Sequence, residues 1–381
     1  MKPYSALYKI NQLLAGSGIE VNGNNSWDIK VKYKFLVKFY YRILRYGSKG
    51  LGDAYQDGWW TCDKLDEFFV KILSAGLDKK YKPWRMAIPY IKATIFNLQT
   101  RKGSQKVAKK HYDLSAEMYE SFLDPYNQYT CGLFEKGAHN LEEAQIHKME
   151  LMCQKLHLTK EDHLLDIGCG WGGFSKYAAT HYGCKVTGIT ISKEQAVYAR
   201  KLTDNLPVEI LEMDYRDLLQ KKFAEKFSKI VVCGMVEHVG YRNYNKFMKI
   251  VYHCLAPKGI FLLHTIMGLK STKHTEPWIE ENIFPNSMLP SLKQVLKASE
   301  GLFKLNDLHN FGFDYDPTLM AWYQNFVRNW KGVESDYYND RFFRTMEYYF
   351  LSCAAAARLG INQLYQMIFT KDSMERYIPV R

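Results

Sequence analysis

Asp166, Gly168, Gly170 and Gly173 stand at spacings that let a backbone close on a charged ligand. They belong to Leu164-Leu165-Asp166-Ile167-Gly168-Cys169-Gly170-Trp171-Gly172-Gly173, an apolar run that ends in an acid and passes through alternate glycines into a helical pattern, Phe174 to His181. The pattern predicts a buried parallel strand feeding a tight turn at a helix N-terminus. Glycines let the backbone touch a ligand, and the open N–H groups of a helix start favour a carboxylate or phosphate. The same glycines satisfy the dinucleotide fingerprint G-x-G-x-x-G, so the flanks must choose the ligand. A dinucleotide site needs an acid about 20 residues further on. Here the second strand, Lys185 to Ile189, ends instead in Thr190-Ile191-Ser192. Asp166 suits an ammonium group, which a pyrophosphate lacks. An amino acid joined to a nucleoside meets both demands, and S-adenosylmethionine is the common one. The bland alternative is a glycine turn that only packs strand on helix, which the strand–turn–helix context disfavours.

Further chemistry is expected at the carboxyl ends of the other strands, where sheets of this kind bind ligands. Strand three ends in Asp214-Tyr215-Arg216, able to hold an adenine. Strand four ends in Val236-Glu237-His238 and strand five in His264-Thr265-Ile266. Upstream, Gln128-Tyr129-Thr130-Cys131 reads as a loop that covers the cofactor. Each has a plainer reading: Asp214 as a turn former, Glu237 as an acid at a helix start, His264 as a satisfied core histidine, and Cys131 as an inert buried thiol. No His, Cys or Asp cluster has metal-ligand spacing, so no metal is expected.

The elements that position these residues alternate. Helical segments at 115–122 and 141–156 precede a first strand at 163–167. Strands follow near 185–190, 208–213, 228–233 and 259–266 with helical stretches between them, then a strand at 303–309, helices through 318–330 and 340–359, and a last strand at 364–369. The order predicts an α/β fold, a doubly wound seven-stranded Rossmann-like methyltransferase sheet. Residues 1–100 predict a small, mostly helical domain, with apolar residues at helical spacing in 4–14, 35–46 and 65–73 and Gly47, Gly50, Gly52, Gly58 and Gly76 as punctuation. Residues 101–110 read as a linker and 111–381 as the catalytic domain.

Charge is unevenly placed along the 381 residues. The net charge is +12, yet residues 1–110 alone hold 21 Lys/Arg against 8 Asp/Glu. Lys79 to Lys110 contains ten basic residues and no acid, and Trp84, Ile88, Ile91 and Ile95 fall on one helical face there, with Pro89 expected to kink it. A basic amphipathic helix with an aromatic anchor fits an anionic lipid surface; a helix docked on its own domain is the plainer reading. Eight scattered cysteines without a C-x-x-C pair suggest reduced thiols in the cytosol. No signal peptide is evident, and no run approaches the roughly 18 apolar residues of a membrane span. The expected place is therefore cytoplasmic, peripheral at the inner membrane surface.

Taken together, Gly168-Cys-Gly-Trp-Gly172, Thr190-Ile-Ser-Lys-Glu-Gln195, Glu237-His-Val-Gly240, Leu263-His-Thr-Ile266 and Met320-Ala-Trp-Tyr323 resemble the cyclopropane-fatty-acyl-phospholipid synthases. Gly50-Leu-Gly-Asp-Ala-Tyr-Gln-Asp-Gly-Trp-Trp60 and Phe96-Asn-Leu-Gln99 extend the resemblance over nearly the whole chain, as in the two-domain bacterial enzymes. The resemblance implies that S-adenosylmethionine donates a methylene group across a cis double bond of an unsaturated acyl chain within a bilayer phospholipid. Carried over by motif, Tyr129 and Thr130, Leu164 to Gly172, Thr190 to Gln195 (Ile191, Ser192, Lys193 and Glu194 included), and Asp214, Tyr215 and Arg216 would hold the cofactor. The family also binds bicarbonate, with matching ligands here in Cys131, Glu237, His264, the backbone of Ile266, and Tyr323. Cys353 matches a cysteine considered as a catalytic candidate, although nothing in the chemistry needs a thiolate. Thr190 replaces the usual ribose-binding acid, with Gln195 as the substitute. A homodimer is left open.

An alkene is a weak nucleophile, so the sulfonium must be held close and in line. The carbocation that follows is stabilised by aromatic faces, for which Tyr129, Trp171, Trp322, Tyr323 and Phe326 are available. One proton must then leave to a nearby base, and a bicarbonate pinned by Glu237, His264 and Tyr323 would serve. Two other readings remain. A nucleic-acid methyltransferase would use the basic region on phosphate, but Met235-Val-Glu-His238 stands where a base-holding Asn/Asp-Pro-Pro-Tyr motif would, so no nucleic acid is expected. A non-catalytic membrane module explains the charge but not Asp166, its glycines or Glu237.

Overall fold

The computed structural model describes residues 3–81, 83, 97, 99–101, 103, 115–372 and 375–381, with side chains described from residue 6 onward. The expected lipid-facing helix around Trp84, Ile88, Ile91 and Ile95, with Lys82, Arg85 and Pro89, and most of the 101–110 linker lie outside the described residues. The chain divides into two compact units. One comprises Met1–Phe96, His274–Pro285 and Tyr315–Ile361, and the other Asn97–Lys273, Asn286–Asp314 and Asn362–Arg381.

Among the described residues the first unit is mainly helical, with a short antiparallel pair, β1 (Lys30–Val31) and β2 (Trp60–Thr61). Helix Leu36–Gln56 is bent where Gly47 takes φ 59° and ψ −135°. Gly50 and Gly52, expected as punctuation, instead lie inside this helix. A Cβ on Gly52 would stand 2.4 Å from the Trp278 ring, so glycine here admits an indole rather than ending a helix. Helices Tyr315–Val333 and Asp340–Arg358 group with the N-terminal helices, not with the sheet that follows them in the expected 111–381 domain. The reason is a shared core. Tyr348 packs its ring 4.9 Å from Phe69 and 4.3 Å from Trp278, and Arg358 ion-pairs with Asp66 and Asp316.

The second unit is built on a seven-stranded sheet of β3 (His163–Ile167), β4 (Lys185–Thr190), β5 (Val208–Glu212), β6 (Phe227–Cys233), β7 (Leu255–Gly268), β8 (Lys304–Asn310) and β9 (Asn362–Thr370). Spatial order is β5-β4-β3-β6-β7-β9-β8. The first five are parallel, whereas β9 runs antiparallel to both neighbours. Successive strand residues point to opposite faces, and both faces are covered. Leu165, Ile167, Ile230 and Val232 join one apolar core with helix Tyr244–Cys254. Leu164, Val186 and Val231 join the other with helices Leu141–Lys155 and Gly173–Tyr182. That double burial is why these strands read as unbroken apolar runs. The order reverses between β3 and β6, which places the crevice for a ligand at the carboxyl end of β3. None of the eight cysteines is in a disulfide, and no helix among the described residues is long and apolar enough to cross a membrane.

Candidate active site

At the end of β3 the chain turns through Gly168, Gly170 and Gly172, all with positive φ, into helix Gly173–Tyr182. A Cβ on Gly170 would meet no protein atom within 4 Å, so the turn opens onto free space on that side. The N–H groups of Gly168 and Cys169 both donate to the Ile189 carbonyl, which ties the turn to β4. Asp166 is buried, and Ser175 Oγ donates to its Oδ2 at 2.8 Å. Burial raises this carboxyl to about 7, opposed by the Ser175 hydrogen bond. A carboxylate so short of compensation is suited to an ammonium ligand.

The end of β4 carries Thr190, whose Oγ1 donates to Gln195 Oε1 at 2.8 Å. Both are buried, and Ser192 caps the helix that bears Gln195. After β5, Asp214 accepts from the Arg216 N–H at 2.9 Å and pairs with Arg216 Nη1 at 2.7 Å. These bonds give Asp214 the turn-forming role that was the plainer reading of it. Tyr215 is buried with a hydroxyl that has no protein hydrogen-bond partner. Arg216 reaches on to the Gln99 carbonyl at 2.7 Å, and Gln99 fits against Gly240, where a Cβ would stand 2.5 Å from its side chain.

The loop from Gln128 to Cys131 lacks regular structure and is clamped from below by helix Leu141–Lys155. Gln145 Nε2 donates to the Thr130 carbonyl at 2.8 Å, and Lys148 Nζ donates to Gln128 Oε1 and Thr130 Oγ1. Sequence reading missed Gln145 and Lys148. The available signal was two large polar residues that share the buried face with Leu141, Ala144, Met149 and Met152.

Glu237 and His264 sit at the ends of β6 and on β7. Glu237 Oε1 accepts from Thr265 Oγ1 at 2.8 Å and from the Ile266 N–H at 2.9 Å. Its Oε2 is buried and has no protein partner. Burial raises this carboxyl above its ordinary value, against the pull of the donors around it. His264 Nδ1 lies 3.4 Å from Gln366 Nε2, and Nε2 is buried without a protein partner. Burial, aided by Lys148 and Lys155, holds the imidazole well below its ordinary value and therefore neutral. The plainer reading of His264 as a satisfied core histidine does not describe this ring. The Ile266 N–H, part of the backbone expected at the ion, donates to Glu237 and helps to fix its carboxylate. Thr265 and Gln366 were not singled out from sequence.

Cys131 is buried, with Sγ 3.2 Å from the Gly132 carbonyl. Tyr323 and Cys353 belong to the helical unit. Tyr323 donates to Glu347 Oε1 at 2.8 Å, and Tyr55 donates to the other oxygen of the same carboxylate at 2.5 Å. Burial pushes the Cys353 thiol up to about 12, so it is not a thiolate at neutral pH. Among the described residues no group of three or more His, Cys, Asp or Glu is arranged to hold a metal ion.

Residues 99–367 match the family model for mycolic acid cyclopropane synthetase. The chain is 45% identical over 366 residues to the cyclopropane-fatty-acyl-phospholipid synthase of Escherichia coli strain K12, covering 96% of this chain and 93% of that protein. It is similar in structure to the cyclopropane synthase MmaA2 from Mycobacterium tuberculosis, with a TM-score of 0.62 and 30% identity over 70% of this chain and 98% of the other. The mycolic acid cyclopropane synthase CmaA1 complexed with SAH and CTAB gives the same TM-score at 29% identity, over 70% of this chain and 98% of the other. The glycine turn after β3, the sheet order and these similarities lead to one assignment: the chain belongs to the mycolic acid cyclopropane synthetase family and is an S-adenosylmethionine-dependent methyltransferase.

Proposed function

We propose that this methyltransferase converts the cis double bond of an unsaturated acyl chain in a membrane phospholipid into a cyclopropane ring. The one-carbon unit comes from S-adenosylmethionine, and bound bicarbonate supplies the base that takes the surplus proton. The observation that carries the base is that Glu237 Oε2, just after β6, and His264 Nε2, on the neighbouring β7, are both buried without protein partners. Such atoms are costly unless a ligand answers them, and a small oxyanion has the matching donors and acceptors. In this reading Glu237, His264 and Cys131 hold the ion, and Ile266 and Thr265 act through Glu237. The turn at 166–172, Thr190 to Gln195, Tyr215 with Arg216, and Tyr129 with Thr130 hold the cofactor. Asp166 pairs with its ammonium, and the open side of Gly170 takes its backbone-facing edge.

The phospholipid substrate is supported by the similarity to the E. coli enzyme, which spans 96% of this chain. Reaching it requires the protein to come to a bilayer. Among the described residues, Lys30 to Arg42 contains five basic residues and no acid. Tyr33 there is 92% exposed between exposed Lys32 and Lys34, with exposed Val37 and Lys38 following. An aromatic ring among lysines suits an anionic interface. The test is transfer of label from S-adenosylmethionine to vesicles of unsaturated phospholipid, with saturated phospholipid, DNA and RNA in parallel. Recovery of cyclopropane acyl chains from the unsaturated vesicles alone is the expected result, and label in nucleic acid instead would overturn it.

A further inference from the structure

One buried basic group has no part in the chemistry above. Lys148 is fully shielded from solvent on helix Leu141–Lys155. Its Nζ donates at 2.9 Å to Gln128 Oε1 and at 2.7 Å to Thr130 Oγ1, both neutral oxygens. Asp124 acts on it only through space, and the Asp124 oxygens are occupied by the N–H groups of Tyr126 and Gln128. An ammonium in a dry interior with two neutral acceptors is under-compensated, and burial accordingly pulls Lys148 below its ordinary value.

The position of this group matters more than its cost. Gln128 and Thr130 flank Tyr129 and lead into Cys131, so Lys148 grips the loop through two side chains. Cys233 closes on the same Thr130 hydroxyl from the end of β6, with Sγ 3.7 Å from Oγ1. The charge of Lys148 is felt at His264, whose Nε2 has no protein partner. An anion resting against this loop would supply the missing charge without leaving the buried ammonium exposed.

We propose that Lys148 is a positioning residue that provides the positive charge for a carboxylate-type anion held between the Thr130–Cys131 loop and His264, acting through Gln128 and Thr130. The inference deepens the proposed function and rests on its reading of the site. Two sources carry that chemistry, bicarbonate and the α-carboxylate of the cofactor's methionine portion.

The test uses full-length protein carrying Lys148→Met, which keeps length and removes charge, and Lys148→Arg, which keeps charge. Two binding readouts need no turnover: the rise in melting temperature on adding bicarbonate alone, and calorimetric affinity for S-adenosylhomocysteine and its decarboxylated analogue. Lys148→Met is expected to lose roughly tenfold or more in affinity for one of the two anions, with Lys148→Arg recovering much of it. Loss confined to the bicarbonate arm assigns the ion. Loss for S-adenosylhomocysteine but not for the decarboxylated analogue assigns the cofactor carboxylate. A folded Lys148→Met with both affinities within about twofold of wild type overturns the proposal, as does equal loss for both adenosyl ligands, which marks a loop-shaping role only. If Lys148→Met does not fold, Lys148→Gln serves under the same criteria. Failure of wild type to label phospholipid would remove the proposed substrate and leave this result standing.

Discussion

Thr265 Oγ1 lies 2.8 Å from Glu237 Oε1, and the next residue's N–H reaches that same oxygen. The carboxylate is therefore oriented by β7 and offers one oxygen only. Glu237→Ala should cut turnover by roughly 10²–10⁴-fold, with partial recovery at raised bicarbonate, while affinity for S-adenosylhomocysteine stays unchanged. Thr265→Val, which removes one of two orienting donors, should cost about tenfold. Steady-state kinetics with calorimetry checks both, and a Glu237→Ala enzyme with near-normal turnover would remove Glu237 from the reaction.

Asp166 gives cofactor binding a pH dependence of defined sign. Its carboxyl is raised to about 7, while a ligand ammonium pairs only with the ionised form. Affinity for S-adenosylmethionine should therefore weaken as pH falls through about 7, by up to about tenfold per unit, and Asp166→Asn should bind weakly with a flat profile. In the cofactor-free protein the same raised value costs stability as pH rises from about 3.9 toward 7, and bound cofactor offsets that cost. Calorimetry and melting curves across this range test both directions.

Two glycines of the turn should fail differently. Gly170 faces open space at φ +53°, so Gly170→Val costs roughly 1–2 kcal/mol of backbone strain and intrudes where the ligand lies. A Cβ on Gly172 would meet Ala199 Cβ at 2.8 Å, so Gly172→Ala strikes the packing of two helices. The first variant should fold and lose cofactor affinity, and the second should lose melting temperature first. Undiminished affinity in folded Gly170→Val would move the site elsewhere.

Cys353→Ser should retain most of its activity, because a thiol pushed up to about 12 is not a nucleophile at neutral pH. A dead but well-folded variant would return a cysteine to the mechanism.

Membrane contact should follow the basic N-terminal surface. Reversing Lys32, Lys34 and Lys38, or Lys79, Lys80, Lys82 and Arg85, to glutamate should weaken binding to anionic vesicles by about 1 kcal/mol per charge. Raised salt should mimic the change, and cofactor affinity should not move. Vesicle co-sedimentation decides it, with equal binding assigning these faces to something else.

The middle of the sheet was legible because strands such as β3 are buried on both faces and the turn after β3 needs glycine, two demands that act locally on residue type. Leu164 and Leu165 point into different cores, yet both must be apolar, so the run from Leu164 to Ile167 announces itself. The direction of β9 was not legible, since strand pairing is settled by neighbours far along the chain. Nor was the grouping of helix Asp340–Arg358, whose partners Phe69 and Trp278 belong to other segments. Among the candidate residues, Asp166, Glu237 and His264 stood out as polar groups on or just after apolar strands, although Glu237 and His264 each had a plainer reading. Lys148 and Thr265 stayed hidden because long lysines and threonines fit surfaces and strands equally well, and only their partners give them a role. Asp214 likewise pairs with Arg216, a partner that residue type alone does not announce.

β7 runs for fourteen residues, paired with β6 as far as His264 and with β9 through Gly268, so His264 lies in a strand bonded along both edges. The His264 backbone, deep in this paired stretch, exchanges with solvent only when strand pairing opens, which ties it to global unfolding. The Gln128–Cys131 loop, held mainly by side chains, can open on its own at a small fraction of that free energy. Native-state hydrogen exchange should therefore separate the two by orders of magnitude. Under the proposed function, spent cofactor departs through repeated loosening of the loop while Glu237 and His264 keep their alignment between one turnover and the next.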